Sequence, residues 1–171
     1  MGMDVLGKSG NYFRASVWSW RPLADYVQFI APEICKACTH WHTNDGDGLD
    51  AAAAIALADV LDLKLTSGAC ASTAEDYKTA QDLLPDEVCD LCEGTGIRRD
   101  KIGVSMNMPD QFVPSDDLSK RRNPRTGMKG WCNGCRGAGH VRPFACSYPF
   151  EVEFVREFSE FCRKSGGFEI W

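Results

Sequence analysis

The stretches Cys89-Asp90-Leu91-Cys92-Glu93-Gly94-Thr95-Gly96 and Cys132-Asn133-Gly134-Cys135-Arg136-Gly137-Ala138-Gly139 are two copies of one motif, C-x-x-C-x-G-x-G. Cysteines two residues apart can turn both sulfurs towards one ion, and the glycines that follow allow the left-handed backbone of a tight turn. Two such pairs supply four thiolates, which is the full tetrahedral shell of a structural zinc site. We therefore predict one Zn²⁺ bound by Cys89, Cys92, Cys132 and Cys135.

The alternative for each C-x-x-C pair is a redox dithiol or a disulfide. Repetition of the pair within the same glycine frame favours zinc. A shell of four cysteines leaves no open position for water or substrate, so we interpret the predicted site as structural rather than catalytic.

The doubled motif resembles the cysteine-rich region of DnaJ chaperones over Val88–Arg99 and Trp131–Arg142. A DnaJ region carries four such motifs and two zinc ions, so this chain is similar to half of one, and it has no J-domain His-Pro-Asp signature. The resemblance implies a zinc hairpin that supports a binding surface, without chaperone activity. The chain also resembles a family of short phage and bacterial proteins through Trp18–Leu23, His42–Leu49 and Phe161–Phe168, which implies a layout and no activity.

Length and composition suit one soluble protein with a real core, since the 171 residues are 44% hydrophobic. The first eleven residues are polar and glycine-rich, without the apolar stretch of a signal peptide. No apolar run approaches the roughly 20 residues needed to span a bilayer. With nine cysteines, we expect a reducing cytoplasm in which clustered cysteines bind metal, and no membrane partner.

Charge is unevenly distributed along the chain. Residues 97–142 carry ten Lys and Arg against four Asp and Glu, a net charge of +6, whereas the rest of the chain has a net charge of −11. This asymmetry favours an anionic partner for the segment, electrostatic docking of the segment on its own chain, or a solvated loop.

The hydrophobic pattern predicts an α+β fold, in which a small helical domain carries an inserted zinc-binding β-hairpin module. Residues 1–87 form the first part of the helical body, 88–142 the zinc-hairpin module, and 143–171 the C-terminal helix and tail that complete the body. The predicted elements are an extended segment over Tyr12–Trp20, helices over Pro22–Ile30, Leu49–Leu63, Ser72–Leu84 and Phe150–Lys164, a loop over Cys35–Gly48, and a tail, Phe168–Trp171, packed on the core.

A second group of soft ligands lies at Cys35, Cys38, His40 and His42. The two cysteines have zinc-ligand spacing, which predicts a second metal site, although the histidines follow more closely than in most zinc fingers. The alternative is a pair of buried thiols beside a hydrogen-bonded histidine. We expect the remaining cysteines to behave as small core residues; they are Cys70, Cys146 and Cys162.

The segment Asn44–Asp50 is rich in Asp and Gly but does not match an EF-hand, because Thr43 and Ala54 fall at positions that need carboxylates. Acidic residues here are typical of a helix N-terminus, where they cap free N–H groups. The alternative is a metal-dependent hydrolase or phosphate-processing site; its residues would be His42, Asn44, Asp45 and Asp47.

We predict a zinc-stabilised, non-enzymatic binding or regulatory protein that presents a basic hairpin to a partner, as a phage-type inhibitor or adaptor does. A protein partner is preferred and a nucleic acid is the alternative, because basic residues contact phosphates but few aromatics accompany them here. Trp18 and Trp20 are expected in the core; the alternative is that they lie beside Arg21 and stack on a base or on a side chain of a partner. The candidate binding residues are Arg98, Arg99, Lys101, Lys120, Arg121, Arg122, Arg125 and Lys129.

Overall fold

A computed structural model of the chain describes residues 2–98, 100–105 and 132–171. The chain divides into two compact units. The body comprises Met1–Leu83 and Ala145–Trp171, and the cysteine unit comprises Leu84–Phe144.

The described residues form helices and small antiparallel sheets. None of these helices is long and apolar enough to cross a membrane. In chain order the elements are β1 (Gly2–Gly7), β2 (Tyr12–Ser16), α1 (Val17–Ile30), α2 (Pro32–Cys35), β3 (Asp47–Asp50), α3 (Ala51–Thr66), α4 (Ala69–Asp82), β4 (Glu87–Val88), α5 (Lys101–Ser105), β5 (His140–Val141), a 3₁₀ turn (Phe144–Ser147), α6 (Val152–Ser165) and β6 (Gly167–Ile170).

The sequence predicted a helical body, but the body also contains a four-stranded antiparallel sheet in the order β2-β1-β6-β3. The C-terminal tail forms a central strand of this sheet, with Val5 opposite Ile170. Phe168 and Ile170 are fully buried, so the tail packs into the core as expected. The sheet escaped prediction because β3 and β6 have only four residues each, and β6 pairs with β3 and β1, which lie far away in sequence.

Two predicted helix starts are wrong. Helix α1 begins at Val17, because the Ser16 side chain accepts a hydrogen bond from the Ser19 backbone N–H, and Pro22 lies inside the helix. Helix α4 begins at Ala69 rather than after a capping box at Ser72. In both cases the last turns are close to those predicted, since Pro32 and Pro85 follow them.

The core of the body lies between the sheet and helices α1, α3 and α6. Phe158 of α6 is fully buried and contacts the rings of Phe13, Trp20 and Phe168 at centroid distances of 5.2, 5.6 and 5.8 Å. Trp20 is a core residue as predicted, whereas Trp18 is half-exposed against Tyr148. Cys70 and Cys162 are buried and Cys146 is partly exposed.

Candidate metal centre

Four cysteine sulfurs meet in the cysteine unit. Cys89 Sγ lies 3.8 Å from Cys132 Sγ, and Cys92 Sγ lies 3.6 Å from Cys135 Sγ. All four sulfurs lie within 4.8 Å of one another, and all four residues are buried. A tetrahedral shell with metal–sulfur bonds of about 2.3 Å has sulfur–sulfur edges of about 3.8 Å, whereas a disulfide brings two sulfurs to about 2.05 Å. The four cysteines are therefore positioned to bind a metal ion.

In each motif, the backbone N–H of the last glycine donates a hydrogen bond to the sulfur of the second cysteine. The Gly96 N–H donates to Cys92 Sγ at 3.3 Å, and the Gly139 N–H donates to Cys135 Sγ at 3.2 Å. Donors of this kind stabilise a thiolate more than a thiol. The repeated bond would therefore stabilise the deprotonated sulfurs that a metal ion needs as ligands.

The left-handed residues of the two copies explain the glycine frame. Glu93 and Arg136, which follow the second cysteine of each motif, have φ of 50° and 53°. The next glycines, Gly94 and Gly137, both have φ of 80°. Two successive left-handed residues fold the chain back beneath the sulfurs, and a glycine at the second of them avoids the steric cost of a Cβ.

The two motifs also bind each other through reciprocal backbone bonds. The Cys89 N–H donates to the Gly139 carbonyl at 2.9 Å, and the Cys132 N–H donates to the Gly96 carbonyl at 2.7 Å. Strands β4 and β5 extend this pairing. A Cβ at Gly139 would lie 2.3 Å from the Gly94 carbonyl oxygen, so the close approach of the two motifs needs glycine there.

Burial disfavours charge on these thiols when no metal is bound. It raises the pKa of Cys132 to about 12 and also raises the pKa of Cys92. For Cys135 burial is outweighed by the Gly139 N–H and the neighbouring thiols, which lower its pKa. A divalent cation deprotonates coordinating thiols outright, so metal binding would release protons and weaken in acid.

Arg98, a candidate binding residue, is engaged inside the cysteine unit. Its side chain is only 9% exposed, and its Nε and Nη2 donate to the two carboxylate oxygens of Asp100 at 2.7 and 2.6 Å. Its Nη1 donates to Asn133 Oδ1 at 3.0 Å. The guanidinium lowers the pKa of Asp100 to about 2. The sequence analysis did not predict these internal contacts of Arg98. The one available signal was that the two motifs have different residues between their cysteines.

The other candidate binding residues are only partly described. Lys101 is exposed at the start of α5. The remaining ones lie outside the described residues and keep their status as predictions; they are Arg99, Lys120, Arg121, Arg122, Arg125 and Lys129.

The thiols of the predicted second metal site lie in the core of the body. Cys35 and Cys38 are each 3% exposed, and Cys35 Sγ donates to the Val27 carbonyl at 3.3 Å. Burial raises the pKa of both thiols to about 12. Among the described residues, the cysteines of the two motifs are the one group of three or more potential ligands close enough to hold a metal.

The histidines of that predicted site point to carboxylates instead. His40 Nδ1 lies 3.2 Å from Asp45 Oδ2, and His42 Nε2 lies 3.0 Å from Asp25 Oδ1. Both pairs are substantially exposed. The structure therefore does not bring His40 and His42 together with Cys35 and Cys38.

Two of the four predicted hydrolase residues, Asn44 and Asp47, contact the backbone. Asp47 accepts the N–H groups of Thr39, His40 and Gly48, which outweigh the effect of burial and lower its pKa. Asn44 Nδ2 donates to the Gly2 carbonyl at 3.3 Å. Asp50 caps α3 by accepting the Ala53 N–H at 2.8 Å, as the helix-start interpretation predicted.

The glycines of this loop are explained by packing against β6. Gly46 has φ of 75°, and a Cβ there would lie 2.4 Å from the Trp171 ring. A Cβ at Gly48 would lie 1.8 Å from the Phe168 carbonyl oxygen. Close approach of β6 and of Trp171, the residue that follows it, therefore accounts for both glycines.

Comparison of the chain with protein-family models, with curated proteins and with solved structures found no match. The resemblance to the DnaJ cysteine-rich region therefore rests on the two motifs alone. What the geometry provides is a group of four cysteines positioned to bind a metal ion.

Proposed function

We propose that this chain is a zinc-stabilised, non-enzymatic binding or regulatory protein, in which the metal holds the cysteine unit folded so that it can present its basic segment to a partner. The observation that carries the proposal is the convergence of four buried sulfurs at the spacing of a tetrahedral thiolate shell.

Zinc is the metal that this donor set favours. Four thiolates in tetrahedral arrangement select zinc or an iron–sulfur centre over the hard cations, which prefer oxygen. A single closed shell of cysteines on two C-x-x-C turns is typical of structural zinc, and it leaves no position at which substrate could bind. Thiolates persist as ligands in a reducing compartment, which is why we place the protein in the cytoplasm.

The basic segment supports a partner-binding role. Cys92 and Cys132 are separated by thirty-nine residues, and residues 97–142 carry a net charge of +6 in a chain whose overall charge is −5. A metal bound to both motifs would hold the two ends of the stretch between Cys92 and Cys132 next to each other. An acidic protein surface is the partner we propose, as for a phage-type inhibitor or adaptor.

Nucleic acid is the second candidate partner, favoured by the same excess of Lys and Arg. The hydrolase alternative has less support. His42 pairs with Asp25 and Asp45 pairs with His40, whereas Asn44 and Asp47 bond to backbone groups of the body.

Elemental analysis of the purified protein tests the metal. We expect one zinc ion per chain, removed by substitution of any of the four cysteines. Two zinc ions would restore the site predicted at Cys35 and Cys38, whereas a metal-free protein with oxidised cysteines would overturn the proposal.

Binding of duplex DNA, single-stranded DNA and poly-glutamate across a salt series tests the partner. We expect the zinc-loaded protein to bind poly-glutamate and not the oligonucleotides; steeply salt-dependent DNA binding would favour the second candidate, and no binding at low salt would remove the anionic partner altogether. Charge reversal of Lys120, Arg121 and Arg122 to Glu should abolish binding. The same reversal at Lys8, Lys36 and Lys78 of the body is the matched control.

A further inference from the structure

The residues between the cysteines differ in the two motifs, and the difference has a structural reason. The first motif has Asp90-Leu91 where the second has Asn133-Gly134. A Cβ at Gly134 would lie 2.7 Å from Leu91 Cδ1, so the missing side chain makes room for the leucine of the other motif. Asn133 accepts the hydrogen bond from Arg98. Both positions of the second motif therefore receive a side chain from the first motif or from the segment that follows it.

Arg98 is held from several directions at once. Asp100 binds it through both carboxylate oxygens, and that carboxylate also accepts the Gly103 N–H at 3.3 Å. A Cβ at Gly103 would lie 2.5 Å from Arg98 Cβ and 2.8 Å from its Nε. The short helix α5 can therefore pack against the ion pair only because it has glycine at this position. These contacts fix the guanidinium in one orientation, aimed at Asn133.

We propose that Arg98 is a positioning residue for the metal centre, because it ties the segment after the first motif to Asn133, between the two cysteines of the second. The inference rests on the proposed zinc site. By fixing one cysteine pair against the other, the contact holds four sulfurs at ligand spacing. Four thiolates around a divalent cation carry a net charge of −2, which the positive charge of the nearby Arg98 would offset. Contacts of this outer kind typically change metal affinity by about 10- to 100-fold.

Zinc affinity, measured by competition with a chromophoric chelator, tests the inference. We expect Arg98→Met to weaken zinc binding by about 10- to 100-fold and to speed zinc release. Arg98→Lys should fall between the wild type and Arg98→Met, because an ammonium keeps the charge but lacks the planar fork that binds Asp100 and Asn133 together. Lys101→Met, which removes an exposed positive charge three residues away, is the matched control and should bind zinc like the wild type.

Two further readouts separate positioning from a general loss of folding. The absorption spectrum of the Co²⁺-loaded protein reports the geometry of the thiolate shell, and Arg98→Met should change its d–d bands while Lys101→Met does not. The double variant should lose less zinc-binding free energy than the sum of the losses in Arg98→Met and Asn133→Ala, since both single changes remove the same contact. If Arg98→Met does not fold, Asn133→Ala serves as the second variant, because it keeps the ion pair between Arg98 and Asp100. It should still weaken zinc binding, since it removes the contact between Arg98 and the second motif.

The inference is overturned if Arg98→Met and Asn133→Ala bind zinc as tightly as the wild type, or if Arg98→Met and Lys101→Met weaken binding equally. A wild-type protein that binds no zinc would instead remove the proposed function itself, so the two failures are distinguishable.

Discussion

The body and the cysteine unit bury different kinds of side chain. The core of the body is built from large apolar residues on the sheet and helices, among them the fully buried Trp20, Phe158 and Phe168. In the described part of the cysteine unit, the buried cluster consists of the four cysteines, with Val141 packed against it. The body can therefore fold through the hydrophobic effect, whereas the described part of the cysteine unit buries little apolar surface, and we expect a bound metal to supply the missing stability.

This contrast predicts that the two units fail under different conditions. A chelator or a cysteine substitution should unfold the cysteine unit and leave the body, and a cavity in the body should leave the metal site.

Substitution of a metal ligand should have the largest effect. We expect Cys89→Ser or Cys135→Ser to lose the zinc and unfold the cysteine unit, since structural zinc contributes apparent binding free energies on the order of 10 kcal/mol in small fingers. Elemental analysis measures the metal, and hydrogen exchange of residues 84–98 and 132–144 measures the folding. Cys70→Ser, a buried thiol in the body, is the control that should keep its zinc. If Cys89→Ser or Cys135→Ser retained full zinc, the four cysteines would not be the metal ligands.

A cavity in the aromatic cluster should have the reverse outcome. Phe158→Ala removes a fully buried ring, which typically costs about 3–5 kcal/mol of the free energy of unfolding. Urea denaturation followed by tryptophan fluorescence measures this loss. Zinc affinity should be unchanged, because no described residue of the cysteine unit belongs to the core cluster that contains Phe158. A matching loss of zinc affinity would mean that the two units fold as one.

How far the sequence alone foretold the molecule also differs between the two units. The four cysteines positioned to bind a metal could be predicted because a C-x-x-C turn and its glycines form a local pattern. The sheet of the body could not, because β1 pairs with β6, which lies near the other end of the chain, and neither strand shows a long apolar alternation. The role of Arg98 was missed for a related reason. It donates a hydrogen bond to Asn133, thirty-five residues away, and a single basic residue carries no signal of that contact.

The close approach of the two motifs can be measured with a pair of glycine substitutions. Gly139→Ala places a Cβ 2.3 Å from the Gly94 carbonyl oxygen, whereas a Cβ at Gly94 meets only Val88 Cγ1 at 3.4 Å. Both glycines have positive φ, of 85° and 80°, so both variants carry the backbone strain of about 1–3 kcal/mol. We therefore expect Gly139→Ala to weaken zinc binding more than Gly94→Ala in chelator competition. Equal losses would show that strain alone, and not the approach of the motifs, requires glycine.

The smallest effect should come from a polar contact between α3 and α6 in the body. The buried Ser159 hydroxyl donates to Asp62 Oδ1 at 2.6 Å, and Arg163 donates to Asp62 Oδ2 at 2.6 Å. The Ser159 hydroxyl, followed by Arg163, lowers the pKa of Asp62 below its ordinary 3.8. Because the folded pKa is depressed, this contact stabilises the body at pH values above the unfolded pKa and is lost as the pH falls through the folded pKa.

Ser159→Ala should therefore lower the free energy of unfolding by about 1 kcal/mol at neutral pH and reduce its fall in acid. Asp62→Asn should remove this acid-dependent part altogether. Asp59→Asn is the control, because Asp59 bonds to Arg163 but not to Ser159, and it should keep most of the acid dependence. Urea denaturation between neutral pH and about pH 2 covers the transition. Of the five tryptophans, Trp131 alone belongs to the cysteine unit. In a Trp131→Phe background, tryptophan fluorescence therefore follows the body, with contributions from the buried Trp20 and Trp41, while the cysteine unit would lose its metal over part of the same range. If Asp62→Asn falls in acid as steeply as the wild type, the contact does not cause the acid sensitivity of the body.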